Sequence, residues 1–349
     1  MVNLKALRPE ELQDFIVSCS LPPFRARQLI HRIYEKGAES IDDIKEFSKQ
    51  LREQLSRKAY ISNLKLLERQ KASDGTEKFL FELEDRLSIE TVLIPDDDRL
   101  TLCVSSQVGC AMGCDFCLTG TIGLKRNLRS FEIVDQVIQV SKFISYRRIT
   151  NIVFMGMGEP LQNIEEVSDA LLRITRLIGI SKRRITLSTA GIVPNLLKLP
   201  EMAPSVNIAI SLNATTDEVR NTIMPINRRY PIKMLLEACR AYPLEPRRRI
   251  TFEYVLLRGV NDTIDDAKRL ARMLRGIPSK VNLIPFNPYR GAKYKRPDED
   301  RVLQFQEILV NSGITALIRK SKGAEICGAC GQLAGHNEPN KPDRGTRWS

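Results

Sequence analysis

The chain has 349 residues, of which 42% are hydrophobic and 28% charged, and its formal net charge is +12. This length suffices for one large barrel and a smaller accessory domain in a protein of ordinary globular composition. No apolar run reaches the length of a membrane span and no signal-peptide pattern opens the chain, so we expect a cytoplasmic protein without a membrane partner. In a reducing cytosol, the eight cysteines favour metal ligands or reacting thiols over a structural disulfide framework.

The excess of positive charge is concentrated in short clusters along the chain. Such a balance favours a polyanionic partner, most plausibly nucleic acid, although any single cluster is more often a solvated face. The clusters are Arg147-Arg148, Lys182-Arg183-Arg184, Arg228-Arg229, Arg247-Arg248-Arg249, Lys293 with Lys295 and Arg296, and Lys320 with Lys322.

Residues 1–60 are predicted to form a small helical accessory domain. One helix begins at Pro9, a second covers residues 24–34 and a third covers residues 41–55, and each has apolar residues at helical spacing. Arginines are interleaved with the apolar residues of the second helix. This pattern suits an RNA-binding module, although helices rich in charge are usually only solvated.

Residues 61–99 change to the alternating pattern of β-strands and are predicted to form a β-meander linker. Strands over residues 63–71 and 77–83 flank Ser73-Asp74-Gly75-Thr76, which is a hairpin signal. Strands over residues 87–94 and 100–105 follow, with the acidic stretch 95–98 between them. We expect this meander to lead directly into the core domain.

From residue 100 the pattern alternates between strand and helix, which is typical of a parallel sheet with helical crossovers. Strands are predicted over residues 100–105, 150–155, 184–188, 206–211, 250–256 and 281–285, with a last one near 314–318. Helices are predicted over residues 131–144, 163–177, 192–199, 231–241, 264–274 and 299–311. We therefore predict an α/β fold whose core, residues 100–320, is a partial (β/α)6 barrel of the TIM type. Residues 321–349 are a C-terminal segment, predicted to be a loose tail from about residue 336.

Three cysteines lie within eight residues after the first core strand, at the spacing C-x3-C-x2-C: Cys110, Cys114 and Cys117. Structural zinc takes four ligands, whereas a [4Fe–4S] cluster held by three cysteines keeps one iron open for another ligand. Only two histidines, His31 and His336, are available, which disfavours histidine-based zinc sites. The spacing favours such a cluster, and a zinc site or a chance run of cysteines is the alternative.

Small and polar residues follow the other predicted core strands, at the carboxyl ends where the active sites of parallel barrels collect. After the second strand, Gly156 and Gly158 allow either close approach of a ligand or a simple tight turn. Glu159 places a carboxylate beside them that suits an ammonium group. The remaining residues are Ser188, Thr189, Ser211, Leu212, Asn213 and Asn287. Of these, Ser188, Ser211 and Asn213 are each by themselves more often caps or turn formers than functional residues.

Together these motifs resemble those of a known superfamily. The cysteine loop after the first strand, with Met157-Gly158-Glu159-Pro160 after the second, resembles the radical S-adenosylmethionine superfamily. Longer stretches resemble its dual-specificity RNA methyltransferases, which methylate C2 of adenine 2503 in 23S ribosomal RNA and of adenine 37 in transfer RNAs. The resemblance extends from about residue 5 to about residue 336. Its stretches are residues 88–92, 103–110, 125–128, 157–160, 224–227 and 329–335.

The resemblance implies which cofactors bind and where. Cys110, Cys114 and Cys117 match the ligands of one [4Fe–4S] cluster whose open iron binds S-adenosylmethionine, and each turnover uses two S-adenosylmethionine molecules. The implied electron donor is a protein such as flavodoxin or ferredoxin. Asn213 stands where some members have histidine. The positions that match contacts to S-adenosylmethionine are Gly158, Glu159, Ser188, Ser211, Leu212, Asn213 and Asn287.

The resemblance also implies roles for three catalytic residues. Adenine C2 lies between two ring nitrogens and is not a nucleophile, so a radical route is needed. Cys330 matches a cysteine that is first methylated, then loses a hydrogen to a 5′-deoxyadenosyl radical and becomes covalently joined to the RNA. Cys103 matches the thiol that releases the RNA by forming a transient disulfide with Cys330. Glu90, in an otherwise apolar strand, matches the proposed base for the C2 proton.

Two other functions compete with this interpretation. One is methylation of C8 on the same ribosomal adenine, and the other is a non-catalytic RNA-binding protein in which Cys103 completes a four-thiolate zinc site. Cys327 forms a C-x-x-C pair with Cys330, and its role is open. Cys19 and Cys239 lie in apolar helical patterns and are predicted core residues. We expect a monomer, because no stretch is typical of a dedicated interface.

Overall fold

The computed structural model describes residues 1–144 and 148–335. Arg147, His336 and the predicted tail lie outside the described residues. The N-terminal region is helical, and its two ends meet where a short parallel strand pair forms. Its elements are β1 (Val2–Asn3), α1 (Pro9–Ser18), α2 (Phe24–Ile30), α3 (Lys49–Ser56) and β2 (Ala59–Tyr60), with β1 paired to β2.

Two of the predicted N-terminal helices differ from the structure. The single helix predicted over residues 41–55 is wrong, because a 3₁₀ turn (Ile41–Asp43) and α3 are separated by an irregular stretch. Ser48 caps α3 by accepting the Leu51 N–H at 3.2 Å, which fixes where the helix begins. The helix predicted over residues 24–34 ends as α2 at Ile30 and continues as a π-helical turn (His31–Glu35).

The meander forms four antiparallel strands, as predicted. They are β3 (Lys65–Lys71), β4 (Glu77–Glu82), β5 (Ser88–Asp96) and β6 (Arg99–Cys103). β6 then pairs in parallel with the next strand of the core, so the meander and the core share one sheet. Cys103 is the last residue of β6, at the carboxyl end of a strand that belongs to both.

A small hairpin that the sequence patterns did not predict carries the cysteine loop. It consists of β7 (Gln107–Gly109), α4 (Leu118–Ile122) and β8 (Leu124–Asn127), with β7 and β8 antiparallel. Gly109 has a φ of +76°, and a Cβ there would lie 1.8 Å from the Gly123 carbonyl oxygen. Only glycine therefore allows β7 to close on β8 immediately before Cys110.

The core alternates strands and helices, which confirms the predicted α/β fold with a parallel sheet. Its helices are α5 (Ser130–Ser141), α6 (Ile164–Arg173), α7 (Val193–Met202), α8 (Asp217–Ile223), α9 (Ile232–Ala241), α10 (Ile264–Met273) and α11 (Glu299–Asn311). Its strands after β8 are β9 (Asn151–Phe154), β10 (Ile185–Thr189), β11 (Asn207–Ser211), β12 (Ile250–Leu256), β13 (Ser279–Pro285) and β14 (Ala316–Ile318). The sheet runs in the order β14-β13-β12-β11-β10-β9-β6-β5-β4-β3, parallel from β14 to β6.

Buried polar contacts fasten the N-terminal region to the core helices. Lys5 is 1% exposed, and its ammonium lies 2.5 Å from the Asp135 carboxylate on α5. Arg173, at the end of α6, donates to the Lys5 carbonyl at 2.6 Å and to the Tyr34 hydroxyl at 2.9 Å. The boundaries predicted at residues 60, 99 and 320 stay predictions. None of the helices in the described ranges combines the length and the apolar character that crossing a membrane requires.

Candidate active site

A single cavity opens at the carboxyl ends of the parallel strands. It brings together the three cysteines of the loop, most of the predicted rim residues and Cys330, which lies more than 200 residues further along the chain. Leu212 is fully buried beneath it and is not part of its lining. The predicted residues in the lining are Cys110, Cys114, Cys117, Gly156, Gly158, Glu159, Ser188, Thr189, Ser211, Asn213, Asn287 and Cys330.

The cysteine loop is held by backbone hydrogen bonds at both of its ends. The Cys110 N–H donates to the Gly123 carbonyl at 3.1 Å, and the Cys117 N–H donates to the Cys114 carbonyl at 3.1 Å. Burial raises the pKa of the Cys110 thiol to about 12, and burial also raises the pKa of Cys114 and of Cys117. Such thiols are neutral without a metal, and a bound cation reverses this because it stabilises the thiolates.

The donor set fits a multi-iron cluster. All three sulfur-bearing residues line one cavity and are free thiols. Within residues 1–144 and 148–335, no three His, Cys, Asp or Glu side chains converge tightly enough to hold a single metal ion. A cluster of four irons takes each cysteine on a different iron, so it does not need that convergence.

Gly158 is required by packing against the strand before the cysteines. Its φ is +105°, and a Cβ there would lie 2.6 Å from the Gln107 Cβ and 2.8 Å from the Gln107 nitrogen. The Gln107 side chain in turn accepts the Glu159 N–H at 2.7 Å. The turn after β9 is thereby locked onto β7, so close packing explains this glycine directly.

The Glu159 carboxylate accepts hydrogen bonds from three donors within the protein. It is 3% exposed and accepts the Thr189 hydroxyl at 2.6 Å, the Ala190 N–H at 2.7 Å and the Leu161 N–H at 3.0 Å. Burial raises the pKa of Glu159, and these donors oppose that rise. The carboxylate therefore joins the turn after β9 to the turn after β10.

Two rim asparagines are fixed by hydrogen bonds. Asn213 has a φ of +57°, and its side-chain oxygen accepts the Val255 N–H at 2.8 Å. Asn287 donates to the Cys330 carbonyl at 3.2 Å and accepts from the Ser321 hydroxyl. Asn287 thus connects the end of β13 to the segment that carries Cys330.

The C-terminal segment is fastened over the cysteine loop. The Gly331 carbonyl accepts the Leu118 N–H at 2.8 Å, and the Leu333 carbonyl accepts the Thr119 hydroxyl at 2.6 Å. Both donors belong to α4, directly after Cys117. Cys330 is therefore placed at the wall of the cavity by contacts with the helix that follows the cysteine loop.

Cys103 is buried close enough to Cys330 for the two thiols to influence each other. Burial raises the pKa of Cys103 to about 12, a negative charge on Cys330 adds to this rise, and Arg319 opposes it. All eight cysteines are free thiols, so the predicted Cys103–Cys330 disulfide is not present in this structure.

Glu90 lies outside the lining of the cavity and binds the C-terminal segment. Its carboxylate accepts the Ala334 N–H at 2.7 Å and the Gly335 N–H at 3.2 Å, and it forms a buried ion pair with Lys78 at 2.9 Å. Cys327 lies within electrostatic range of both members of this pair. In this structure the carboxylate is thus engaged in positioning the chain around Cys330.

Comparisons with known proteins cover nearly the whole chain. The model of the radical SAM superfamily matches residues 104–274, and that of the ribosomal RNA large subunit methyltransferase N-terminal domain matches residues 2–61. A dual-specificity RNA methyltransferase RlmN from Geobacter sulfurreducens is 50% identical over 98% of this chain and 94% of its own. The RlmN of Syntrophobacter fumaroxidans is 53% identical over 95% of this chain and 98% of its own. The chain belongs to the RlmN family of radical S-adenosylmethionine RNA methyltransferases.

A crystal structure shows the same fold. The radical SAM methyltransferase from Sphaerobacter thermophilus superimposes with a TM-score of 0.92 and 43% identity, covering 96% of this chain and all of that chain. Membership of the RlmN family implies a 4Fe–4S cluster and S-adenosylmethionine as cofactors. It also makes the chain an enzyme, so the non-catalytic alternative is set aside.

Two charged residues of this RlmN-family cavity were missed in the sequence. Arg319 follows β14, and its guanidinium lies 3.3 Å from the Met155 sulfur and within electrostatic range of Cys103 and Cys330. Glu253 lies in the middle of β12 and is 4% exposed. A lone carboxylate within the apolar run Ile250–Leu256 was the available signal for Glu253, whereas nothing in the sequence indicated that Arg319 faces the thiols.

Proposed function

We propose that this enzyme methylates C2 of adenosine in RNA, at adenine 2503 of 23S ribosomal RNA and adenine 37 of transfer RNAs. The observation that carries the proposal is that Cys330 lines the same cavity as Cys110, Cys114 and Cys117. Cluster ligands alone are common to radical chemistry of many kinds. A non-ligating cysteine brought to the same cavity supplies a methyl carrier, which methyl addition to a non-nucleophilic carbon needs.

Cys110, Cys114 and Cys117 hold the cluster, since they share a cavity wall and their sulfurs are in no other covalent bond. When bound, the cluster supplies the electron that cleaves S-adenosylmethionine reductively. The rim residues Ser188, Ser211 and Asn287 line the space in which that molecule is held. Glu159 and Gly158 shape this rim from the turn after β9.

The chain's own thiols carry and release the methyl group. Cys330 accepts a methyl group from one S-adenosylmethionine. Its methyl carbon gives a hydrogen atom to the 5′-deoxyadenosyl radical from a second molecule and bonds to C2 of the adenine, and the adduct then gives up the C2 proton and one electron, which a bound cluster would accept. The Cys103 thiolate attacks the Cys330 sulfur and a disulfide forms, while the methylene carbon leaves with the electron pair of the carbon–sulfur bond and takes a proton to become the methyl group. The proximity of the two thiols supports this sequence of steps.

Glu90 is the proposed base for the C2 proton. The structure places its carboxylate against Lys78 and the backbone of Ala334 and Gly335. To act as a base it must exchange these partners for the substrate, which couples proton removal to movement of the C-terminal segment. The proposed electron donor is a small redox protein such as flavodoxin or ferredoxin, and the proposed working form is a monomer.

The deciding experiment is anaerobic methylation with S-adenosylmethionine carrying a labelled methyl group. The substrates are a protein-free fragment of 23S ribosomal RNA and an unmodified transfer RNA, and the digested nucleosides are analysed by mass spectrometry. We expect labelled 2-methyladenosine from both RNAs and none from Cys330→Ala. 8-Methyladenosine as the sole product would instead establish the sister activity.

A further inference from the structure

Two buried carboxylates line the cavity, and they differ in how well their hydrogen bonds are satisfied. Glu159 accepts from three donors within the protein. Glu253 accepts from one, the Asn282 side chain at 3.0 Å, through one of its two oxygens. Its other oxygen is buried and has no hydrogen-bond partner among the described residues.

An unpartnered carboxylate oxygen is costly at a buried position. Removing it from water without supplying a donor forfeits the hydrogen bonds it made in solution. Burial raises the pKa of Glu253, while Arg319, Asn282 and Lys280 oppose the rise and favour the carboxylate. The protein thus keeps a hydrogen-bond acceptor in this cavity that its own groups leave unused.

Arg319 does not supply the missing hydrogen bond to Glu253. It lines the same cavity and interacts electrostatically with Glu253, but within the described part of the chain it donates no hydrogen bond to the unpartnered oxygen of Glu253. Its guanidinium lies instead beside the Met155 sulfur, at 3.3 Å. The unpartnered oxygen is therefore available to a molecule that enters the cavity.

The surroundings of Glu253 indicate what that molecule is. Apolar side chains line the same cavity and suit a flat ring; they include Phe154 at the end of β9, Val255 on β12 and Phe286 directly after β13. Glu253 is in register with Ser211 on β11 and with Asn282 on β13. It therefore lies in the same layer of the barrel as a residue proposed above to line the S-adenosylmethionine space.

We propose that Glu253 is a nucleoside-binding residue, whose unpartnered oxygen accepts a hydrogen bond from a hydroxyl or amino group of a nucleoside in this cavity. Ribose hydroxyls and the 6-amino group of adenine are such donors. This inference rests on the proposed function, under which two nucleosides enter the cavity: the adenosyl group of S-adenosylmethionine and the target adenosine of the RNA. The experiment distinguishes which of the two donates to Glu253.

Glu253→Gln is the informative variant. The amide keeps one oxygen for Asn282 but presents an N–H₂ group to the cavity, so a ligand donor then meets a donor. We expect the dissociation constant of one ligand to rise about 10- to 100-fold, the effect of losing a hydrogen bond to a charged group. Equilibrium dialysis of S-adenosylmethionine and filter binding of the RNA, both on anaerobic cluster-loaded protein, give the two arms. Glu237→Gln, on the exposed face of α9, is the matched control.

Ligand analogues test the same hydrogen bond by removing its donor from the ligand. Their binding to wild-type protein is measured first, so a folding defect of the variant cannot obscure that result. Adenosyl analogues lacking the 2′-hydroxyl, the 3′-hydroxyl or the 6-amino group, and RNAs with the same deletions at the target nucleotide, are compared with their parents. We expect one deletion to weaken binding to wild type and to have no further effect in Glu253→Gln.

If Glu253→Gln binds both S-adenosylmethionine and RNA as tightly as wild type does, the oxygen accepts nothing from either ligand and the proposal is overturned. The proposal is also overturned if every analogue binds wild type as tightly as its parent does. These experiments measure binding, so their result does not depend on which product the enzyme makes. If the product is 8-methyladenosine, the proposed C2 function is wrong, but the binding result for Glu253 still holds.

Discussion

At the scale of single residues, the two thiols beside the cavity have separable tasks, and substitution distinguishes them. Cys103→Ala is expected to form the covalent link between Cys330 and RNA but to lack the thiol that breaks it. Cys330→Ala is expected to form no link, because the methyl carrier is absent. Denaturing gel electrophoresis of protein with labelled RNA measures the adduct, with Cys239→Ala as a buried-cysteine control. Methylated RNA released from Cys330→Ala would contradict the mechanism.

The pH dependence of RNA release follows from the environment of Cys103. Burial is the main reason that the pKa of Cys103 is raised to about 12 in the free enzyme, and burial acts in the adduct too, where the Cys330 sulfur is uncharged, so the thiol is neutral at pH 7 and the reactive thiolate is scarce. Below the pKa the thiolate fraction grows roughly tenfold per pH unit. We therefore expect the release rate, measured by rapid quenching of preformed adduct between pH 6.5 and 8.5, to rise with pH. A flat profile would mean that another step limits release.

At the scale of elements, the C-terminal segment is positioned from three sides. α4 binds it through Gly331 and Leu333, Asn287 at the end of β13 binds the Cys330 carbonyl, and Glu90 on β5 binds Ala334 and Gly335. Two of these three anchors, Asn287 and Glu90, lie outside the hairpin that carries the cysteine loop. The position of Cys330 therefore depends on the meander as well as on the barrel.

A buried ion pair, Lys5–Asp135, helps to attach the N-terminal region to α5. Asp135→Asn leaves the Lys5 ammonium buried without its counter-charge, and we expect a loss of about 3–5 kcal/mol in the free energy of unfolding. Lys5→Met combined with Asp135→Asn is expected to recover most of that loss, because it removes the unpaired ammonium while the asparagine keeps an oxygen for the Leu64 N–H. Urea denaturation measures both. The solvent-exposed pair Lys182–Glu245 is the control, and Glu245→Gln is expected to lower the free energy of unfolding much less than Asp135→Asn does. Equal losses at the two sites would refute the importance of burial.

At the scale of the whole molecule, the barrel was predictable because parallel strands are continuous apolar runs with polar ends. The strand predicted over residues 250–256 has the observed bounds of β12, and the others agree to within a few residues. β7, β8 and α8 were missed because they are short and carry polar residues. The saturation of Glu159 and the unpartnered oxygen of Glu253 could not be predicted, since they depend on which donors three-dimensional packing brings to each carboxylate.

The fastening of the C-terminal segment to α4 has a consequence for how the enzyme is made. Thr119 and Leu333, which share a hydrogen bond beside the cavity, are 214 positions apart in the chain. A ribosome therefore delivers the cysteine loop well before the segment that covers it. The three loop cysteines and the strands of the barrel are therefore complete before Cys330 can dock beside them, so the wall of the cavity that carries Cys330 is the last to form.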